Sequence, residues 1–288
     1  MTAEVVANPE IGKTVVVQGV VAGGISTNYL EAGSGDPLVF IHGSGPGVTA
    51  YANWRLSLPL LAEKFHCYAP DMAGFGFTER PEGVTYGLQV WVDQILGFID
   101  ALGLQRVSLV GNSFGGAIAL RFAVDHPDRL DKLVLMGSVG VPFELTEALD
   151  AAWGYQPSLD NMRRMLDYFA FSRELVTDEL ASLRYAASIR PGFQESFSAM
   201  FPAPRQRWVD ALCTPDEQIA GIRQPTLIVH GRDDQVIPTS TSLRLNELID
   251  DSELHIFGRC GHWTQIEKAG PFTELVADFL GRPDCGPM

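Results

Sequence analysis

The stretch "LVGNSFGGAIAL" (109–120) places a serine between glycines where an apolar run ends. Gly111-Asn112-Ser113-Phe114-Gly115 fits G-x-S-x-G, with a β-rich run before it and a small-residue helical stretch after it. In that context the chain makes a strained strand–turn–helix and holds the serine hydroxyl above a sheet. The flanking residues must be small for the turn to close, and the N–H that follows the serine can meet a developing oxyanion. Such a serine is a nucleophile for attack on a carbonyl, provided that a base and an orienting acid accompany it.

With this connectivity the partners follow in the order serine, acid, histidine, at strand ends. Of the six histidines, His66, His126, His230 and His255 lie in strands or at element ends and read as structural. His262 lies in "GRCGHWTQIEKAGPF", past the last strand, where Gly258 and Gly261 let the loop turn an imidazole inward. It is the expected base. For the acid, "LIVHGRDDQVIP" ends a strand in two aspartates. Strand alternation and the G-R-x-D spacing favour Asp234, leaving Asp233 to pair with Arg232. A second oxyanion donor comes from "FIHGSGPGVTAYANW", a strand that runs into a glycine-rich loop. The expected donors are the amides of Ser44 and Phe114.

These groups need a scaffold. β-rich runs appear at 14–21, 37–42, 66–70, 106–111, 132–137, 225–231 and 253–258, with helix-like segments at 87–103, after Ser113 and at the C-terminal end. Alternating strands and helices predict a mostly parallel, doubly wound sheet. The first two runs have no helix between them and predict an antiparallel edge. Residues 142–210 read as consecutive helices with no strand, which predicts a helical lid inserted between core segments 1–141 and 211–288.

Composition narrows the function. Net charge is −14, which disfavours nucleic acid or an anionic membrane as partner. The N-terminal MTAEVVANPEIGK lacks the charged-then-apolar pattern of a secretory signal, and no apolar run is long enough to span a membrane, so a cytoplasmic location is expected. Cys67, Cys213, Cys260 and Cys285 are scattered without zinc spacing and are expected to be reduced.

The stretches "HGSGPGVTAYANWR", "PDMAGFGFTERP", "LVGNSFGGAIALRFA", "LRYAASIRPGFQESF", "FPAPRQRWVDAL", "HGRDDQVIP" and "CGHWTQIEKA" together resemble an α/β-hydrolase. Within that fold they resemble the meta-cleavage product hydrolases of aromatic catabolism, the 2-hydroxymuconate semialdehyde hydrolase subgroup above all. The resemblance spans nearly the whole chain. It implies hydrolysis of the C5–C6 bond of 2-hydroxy-6-oxo-2,4-dienoates, after ketonisation of the dienol, by Ser113, His262 and Asp234. It implies Arg184, in "LRYAAS", as the cation for the substrate carboxylate and enol oxygen. Gly43, Asn53, Asn112 and Trp263 would line the same polar end. Val139, Trp153 and Val236, with Phe169 or Phe171, are expected around the C6 substituent, and their bulk favours hydrogen or methyl. No metal or organic cofactor is implied, the ligand is a small anionic dienol, and a homo-oligomer is expected. A carboxylesterase and a non-catalytic ligand-binding member of the fold stand as alternatives.

Overall fold

The computed structural model describes residues 8–283, so Cys285 lies outside the described residues. Eight strands form one sheet: β1 (Lys13–Val17), β2 (Ile25–Ala32), β3 (Pro37–Ile41), β4 (His66–Pro70), β5 (Val107–Asn112), β6 (Leu130–Met136), β7 (Thr226–Gly231) and β8 (Ser252–Phe257). Their order is β1-β2-β4-β3-β5-β6-β7-β8. β1–β2 and β2–β4 are antiparallel, and every other pairing is parallel.

The central strands are covered on both faces, which is why they read as continuous apolar runs. Alternate residues split between two cores. Val39, Ile41, Leu109, Leu135 and Ile228 pack on one side. Leu38, Phe40, Val110, Val134 and Val229 pack on the other, with Trp54, Phe272 and Val276. The helix Leu88–Ala101 buries Trp91, Val92, Ile95, Phe98 and Ile99, one face at helical spacing. Gly103 at φ +70° then closes it.

The antiparallel edge exists, but between different segments than expected. The 14–21 run pairs with β2, whereas 37–42 is a central parallel strand between β4 and β5. "ISTNYLEA" of β2 was invisible as a strand because it buries polar side chains, Thr27 and Asn28 among them. The Asn28 amide is satisfied by donating to Asp71 Oδ2 (2.8 Å) and the Glu10 carbonyl (3.0 Å).

Between β6 and β7 the chain leaves the sheet for the helices Glu147–Trp153, Leu159–Phe169, Asp178–Ser188, Phe193–Met200 and Gln206–Ala211. Thr146, Ser158 and Thr177 start the first three, each hydroxyl accepting a backbone N–H at 3.1 Å. Among the described residues no helix is long and apolar enough to cross a membrane.

The helix Phe114–Asp125 lies so close to the sheet that a Cβ on Gly115 would sit 2.3 Å from the Ile41 carbonyl oxygen. Gly270, in the helix Ala269–Leu280, has nothing within 4 Å of the same position. Gly115→Ala should therefore destabilise by about 1–3 kcal/mol or more, because backbone must move. Gly270→Ala should be neutral or slightly stabilising. Thermal unfolding of the two variants checks the contrast, and equal midpoints would contradict it.

Candidate active site

β5 ends directly in Ser113, which takes φ 54° and ψ −113°, a conformation rarely adopted by a residue with a side chain. The surroundings hold it there. Ser113 N–H donates to the Met136 carbonyl at 2.8 Å, and its own carbonyl accepts from Val139 N–H at 3.2 Å. Gly111 and Gly116 leave no room for a side chain, since a Cβ would fall 2.5 Å from the Gly115 carbonyl and 1.9 Å from Ser138 Oγ. The sequence G-N-S-F-G-G thus records a backbone crossing with no spare volume.

His262 Nδ1 lies 2.7 Å from Asp234 Oδ2, with the two side chains 3% and 1% exposed. A buried carboxylate beside Nδ1 fixes the proton there and leaves the Nε2 lone pair free. Asp234 Oδ1 accepts the N–H groups of Val236 (2.7 Å) and Ile237 (3.0 Å). Burial pushes the Asp234 pKa up, but the His262 charge and hydrogen bonds from His230 and His262 outweigh it and hold the group well below the usual carboxylate range. Gly137 brings the elbow and this pair together: its Cβ position lies 3.4 Å from Asp234 Oδ2 and 3.5 Å from His262 Nδ1. Among the described residues no hydrogen bond joins the Ser113 hydroxyl to the imidazole. In unliganded sites such bonds are often long and tighten only around the reacting group.

The loop after β3 is fixed by His42. Its Nδ1–H donates to the Gly43 carbonyl (2.8 Å), and its Nε2 accepts from Met72 N–H (2.9 Å). Burial pulls its pKa down to about 4, so the ring stays neutral and keeps both roles. The N–H groups of Ser44 and Phe114 donate to no described residue.

A cavity of about 260 Å³ opens beside these groups. Gly43, Ser44, Asn53, Asn112, Arg184, His262 and Trp263 line it, together with Met165, Phe169, Leu175 and Leu180 from the inserted helices. Asn112 Nδ2 donates to Asn53 Oδ1 at 3.1 Å, and Asn112 Oδ1 is buried without a partner. Arg184 makes one hydrogen bond, 3.3 Å to the Pro46 carbonyl, and has no carboxylate partner among the described residues. Burial lowers its pKa to about 10; the neighbouring Arg55 and Arg190 push the same way against Glu10. It remains a cation at neutral pH.

Residues 36–269 match the α/β hydrolase fold family. A 2-hydroxy-6-oxo-2,4-heptadienoate hydrolase of Pseudomonas putida F1 is 61% identical, over 96% of this chain and 99% of that protein. A 2-hydroxymuconate semialdehyde hydrolase of Pseudomonas sp. strain CF600 is 58% identical, over 96% of each chain. A crystal structure of a meta-cleavage product hydrolase from Pseudomonas fluorescens IP01, a serine-to-alanine mutant complexed with acetates, superposes with a TM-score of 0.92 at 56% identity, covering 95% of this chain and 98% of that one. The chain is a meta-cleavage product hydrolase of the α/β-hydrolase family.

In this serine-type hydrolase the expected polar end is assembled in one place, whereas the expected distal set is not. Val139, Trp153 and Val236 are buried and do not line the cavity. Each instead braces another part of the site. Val139 N–H holds the Ser113 carbonyl, and Val236 N–H holds Asp234. Trp153 stacks on Phe201 (centroids 4.4 Å apart), and its indole N–H donates to Ser44 Oγ at 2.9 Å. Of the two phenylalanines, Phe169 faces the cavity, while Phe171 lies in a surface depression. The apolar wall is Met165, Phe169, Leu175, Leu180 and Ile266, from helices whose facing cannot be ordered from sequence.

Residues that the sequence did not single out also touch these groups. His230 Nε2 lies 3.3 Å from Asp234 Oδ2, and its Nδ1 is 2.6 Å from Ser242 Oγ, so the carboxylate sits between two imidazoles. Glu267 clasps the loop that carries His262 to the segment around Ser172. One of its oxygens accepts Gly261 N–H (2.6 Å) and the other Ser172 N–H (2.8 Å). Beside that clasp, His262 N–H donates to the Phe169 carbonyl (2.8 Å). The E of "GHWTQIE" was the available signal. Arg55 and Gln265 also line the cavity.

Asp234 and Asp233 are separated by environment. Asp233 is 31% exposed and reaches Arg232 at 3.5 Å. Asp234→Asn should lose activity by ~10⁴-fold by favouring the wrong imidazole tautomer, and Asp233→Asn by less than about threefold. Steady-state rates of the two variants check this; a reversed ranking would move the acid to Asp233.

Proposed function

We propose that this chain hydrolyses the C5–C6 bond of 2-hydroxy-6-oxo-2,4-dienoates with hydrogen or methyl at C6, releasing 2-hydroxypenta-2,4-dienoate and formate or acetate. One observation carries the reading: a guanidinium without a carboxylate partner shares a cavity with the imidazole of His262. The substrates in the relatives' names, a heptadienoate and a semialdehyde, support the small C6 group. So does the cavity, whose volume of about 260 Å³ falls just below the roughly 300–1,000 Å³ usual for ligand sites.

Direct cleavage of C5–C6 would expel an unstabilised carbanion. Removing the 2-hydroxyl proton and adding a proton at C5 gives a 2-oxo-3-ene, into which the electrons of the breaking bond can drain. Arg184 binds the carboxylate and adjacent oxygen and holds the diene in line. His262, its Nδ1 proton kept by Asp234, takes the proton of Ser113, or of a water beside it, as C6 is attacked. The N–H groups of Ser44 and Phe114 receive the oxyanion. Its collapse breaks C5–C6, the electron pair reaches the C2 oxygen, and protonation there gives the dienol product. Where Ser113 is the group that attacked, a water deprotonated by His262 then hydrolyses the acyl-serine ester, returning the proton to Ser113 and releasing the acid.

Loss of dienol absorbance across several ring-fission products tests the reaction and ranks the C6 groups. Turnover of neutral esters with none of dienoates would point to a carboxylesterase instead. Ser113→Ala should lose cleavage by ~10³-fold or more yet still bind the dienol. Product formation by this variant at near wild-type rate in single turnover would remove Ser113 from the chemistry. Arg184→Ala should lower kcat/KM by ~10-fold or more, the scale of one charged contact. Unchanged kinetics would take Arg184 out of the site.

A further inference from the structure

A second guanidinium lines the cavity. Arg55 belongs to the wall that holds Arg184, Asn53 and Asn112, and it also lines a neighbouring surface depression with Lys13, Glu31, Tyr51 and Leu58. It follows the short helix Ala50–Trp54, and its Nη1 donates to the Ala52 carbonyl at 2.7 Å. That bond orients the group without neutralising it. Among the described residues Arg55 pairs with no carboxylate. Glu31, the acid in the same depression, is engaged by Lys13 (2.9 Å) and His66 (3.0 Å). Glu10, the other acid nearby, pairs with Arg190 and accepts from Thr49 Oγ1 (3.2 Å).

An unpaired arginine that is half-buried beside another costs free energy, because each cation raises the other's potential. The arrangement makes sense if an anion passes between them. The chain as a whole carries −14 and repels anions at long range, so an anionic substrate needs a local cation near the surface. Arg184 lines the cavity but not the outer depression, so it is not the first cation met from that side. Arg55 faces both the cavity and the outer depression.

We propose that Arg55 captures the carboxylate of the incoming dienoate from the outer depression and delivers it to Arg184, making it a specificity residue for small carboxylates. The proposal rests on the reading of the cavity as a dienoate site.

The probe is sorbate, hexa-2,4-dienoate, which has the carboxylate and the diene but no 6-oxo group to be attacked. Its affinity is measured by calorimetry at low and high salt for the wild type, Arg55→Gln and Arg55→Lys. Dienol kcat/KM and thermal midpoints are measured alongside. Arg55→Gln should weaken sorbate ~10-fold at low salt and flatten the salt dependence, with the dienol loss carried mostly by KM. Arg55→Lys should restore the salt dependence, because the charge returns. A purely structural arginine would lower the midpoint without changing the salt slope, and that result overturns the proposal. So does wild-type sorbate affinity in Arg55→Gln. If the wild type cleaves no dienol yet Arg55→Gln still weakens sorbate, the reaction is wrong and the anion route stands. If dienol is cleaved and Arg55→Gln matches the wild type throughout, the reaction stands and the route falls.

Discussion

The crossing of β5 and the helix Phe114–Asp125 over the end of β3 admits no side chain at positions 111, 115 and 116. Everything catalytic is measured from that contact. It forces Ser113 into a positive φ at the start of the helix, beside the loop after β3. That loop is set by a neutral imidazole, His42, which bonds backbone at both ring nitrogens. Strain of this kind costs of order 1–3 kcal/mol and persists only where surrounding bonds over-determine it. Here the Met136 carbonyl and Val139 N–H supply those bonds from the neighbouring strand end.

Around that fixed point the site collects groups from separate strand ends. Asp234 is the other anchor. Its two oxygens take two backbone N–H groups and face two imidazoles, so its charge is held in place before any substrate arrives. Preorganisation of this sort spares reorganisation when the imidazolium forms. The parallel sheet supplies rigidity, and the segment between β6 and β7 supplies Arg184 and, apart from Ile266, the apolar wall.

Much of this was legible in the sequence because particular residues admit few alternatives. G-N-S-F-G-G, the DD pair after an apolar run and GHW singled out a serine on a strained turn and a carboxylate and imidazole that lie side by side in the fold. Asp234 was the expected acid, but the physical reason differs: β7 ends at Gly231, so a turn beyond the strand aims the carboxylate, not strand alternation. Strand β2 was hidden by its buried polar residues. The distal pocket was misplaced because Val139, Trp153 and Val236 contribute through backbone or indole N–H groups, and a sequence displays only side-chain bulk. Nothing in the sequence singled out Arg55, because only its place in two hollows at once sets it apart.

The Glu267 clasp ties the segment around Ser172 to the loop that carries His262. The helices between β6 and β7 are therefore not an interchangeable cap. A graft that swapped them from another hydrolase would cut across hydrogen bonds from Phe169 and Ser172 to the base loop. Recombination between relatives has its natural seams elsewhere, with residues 169–172 and 260–267 inherited as one block. The two stretches are distant in the chain but share one hydrogen-bonded seam, so a change in the histidine loop bears directly on this part of the insertion.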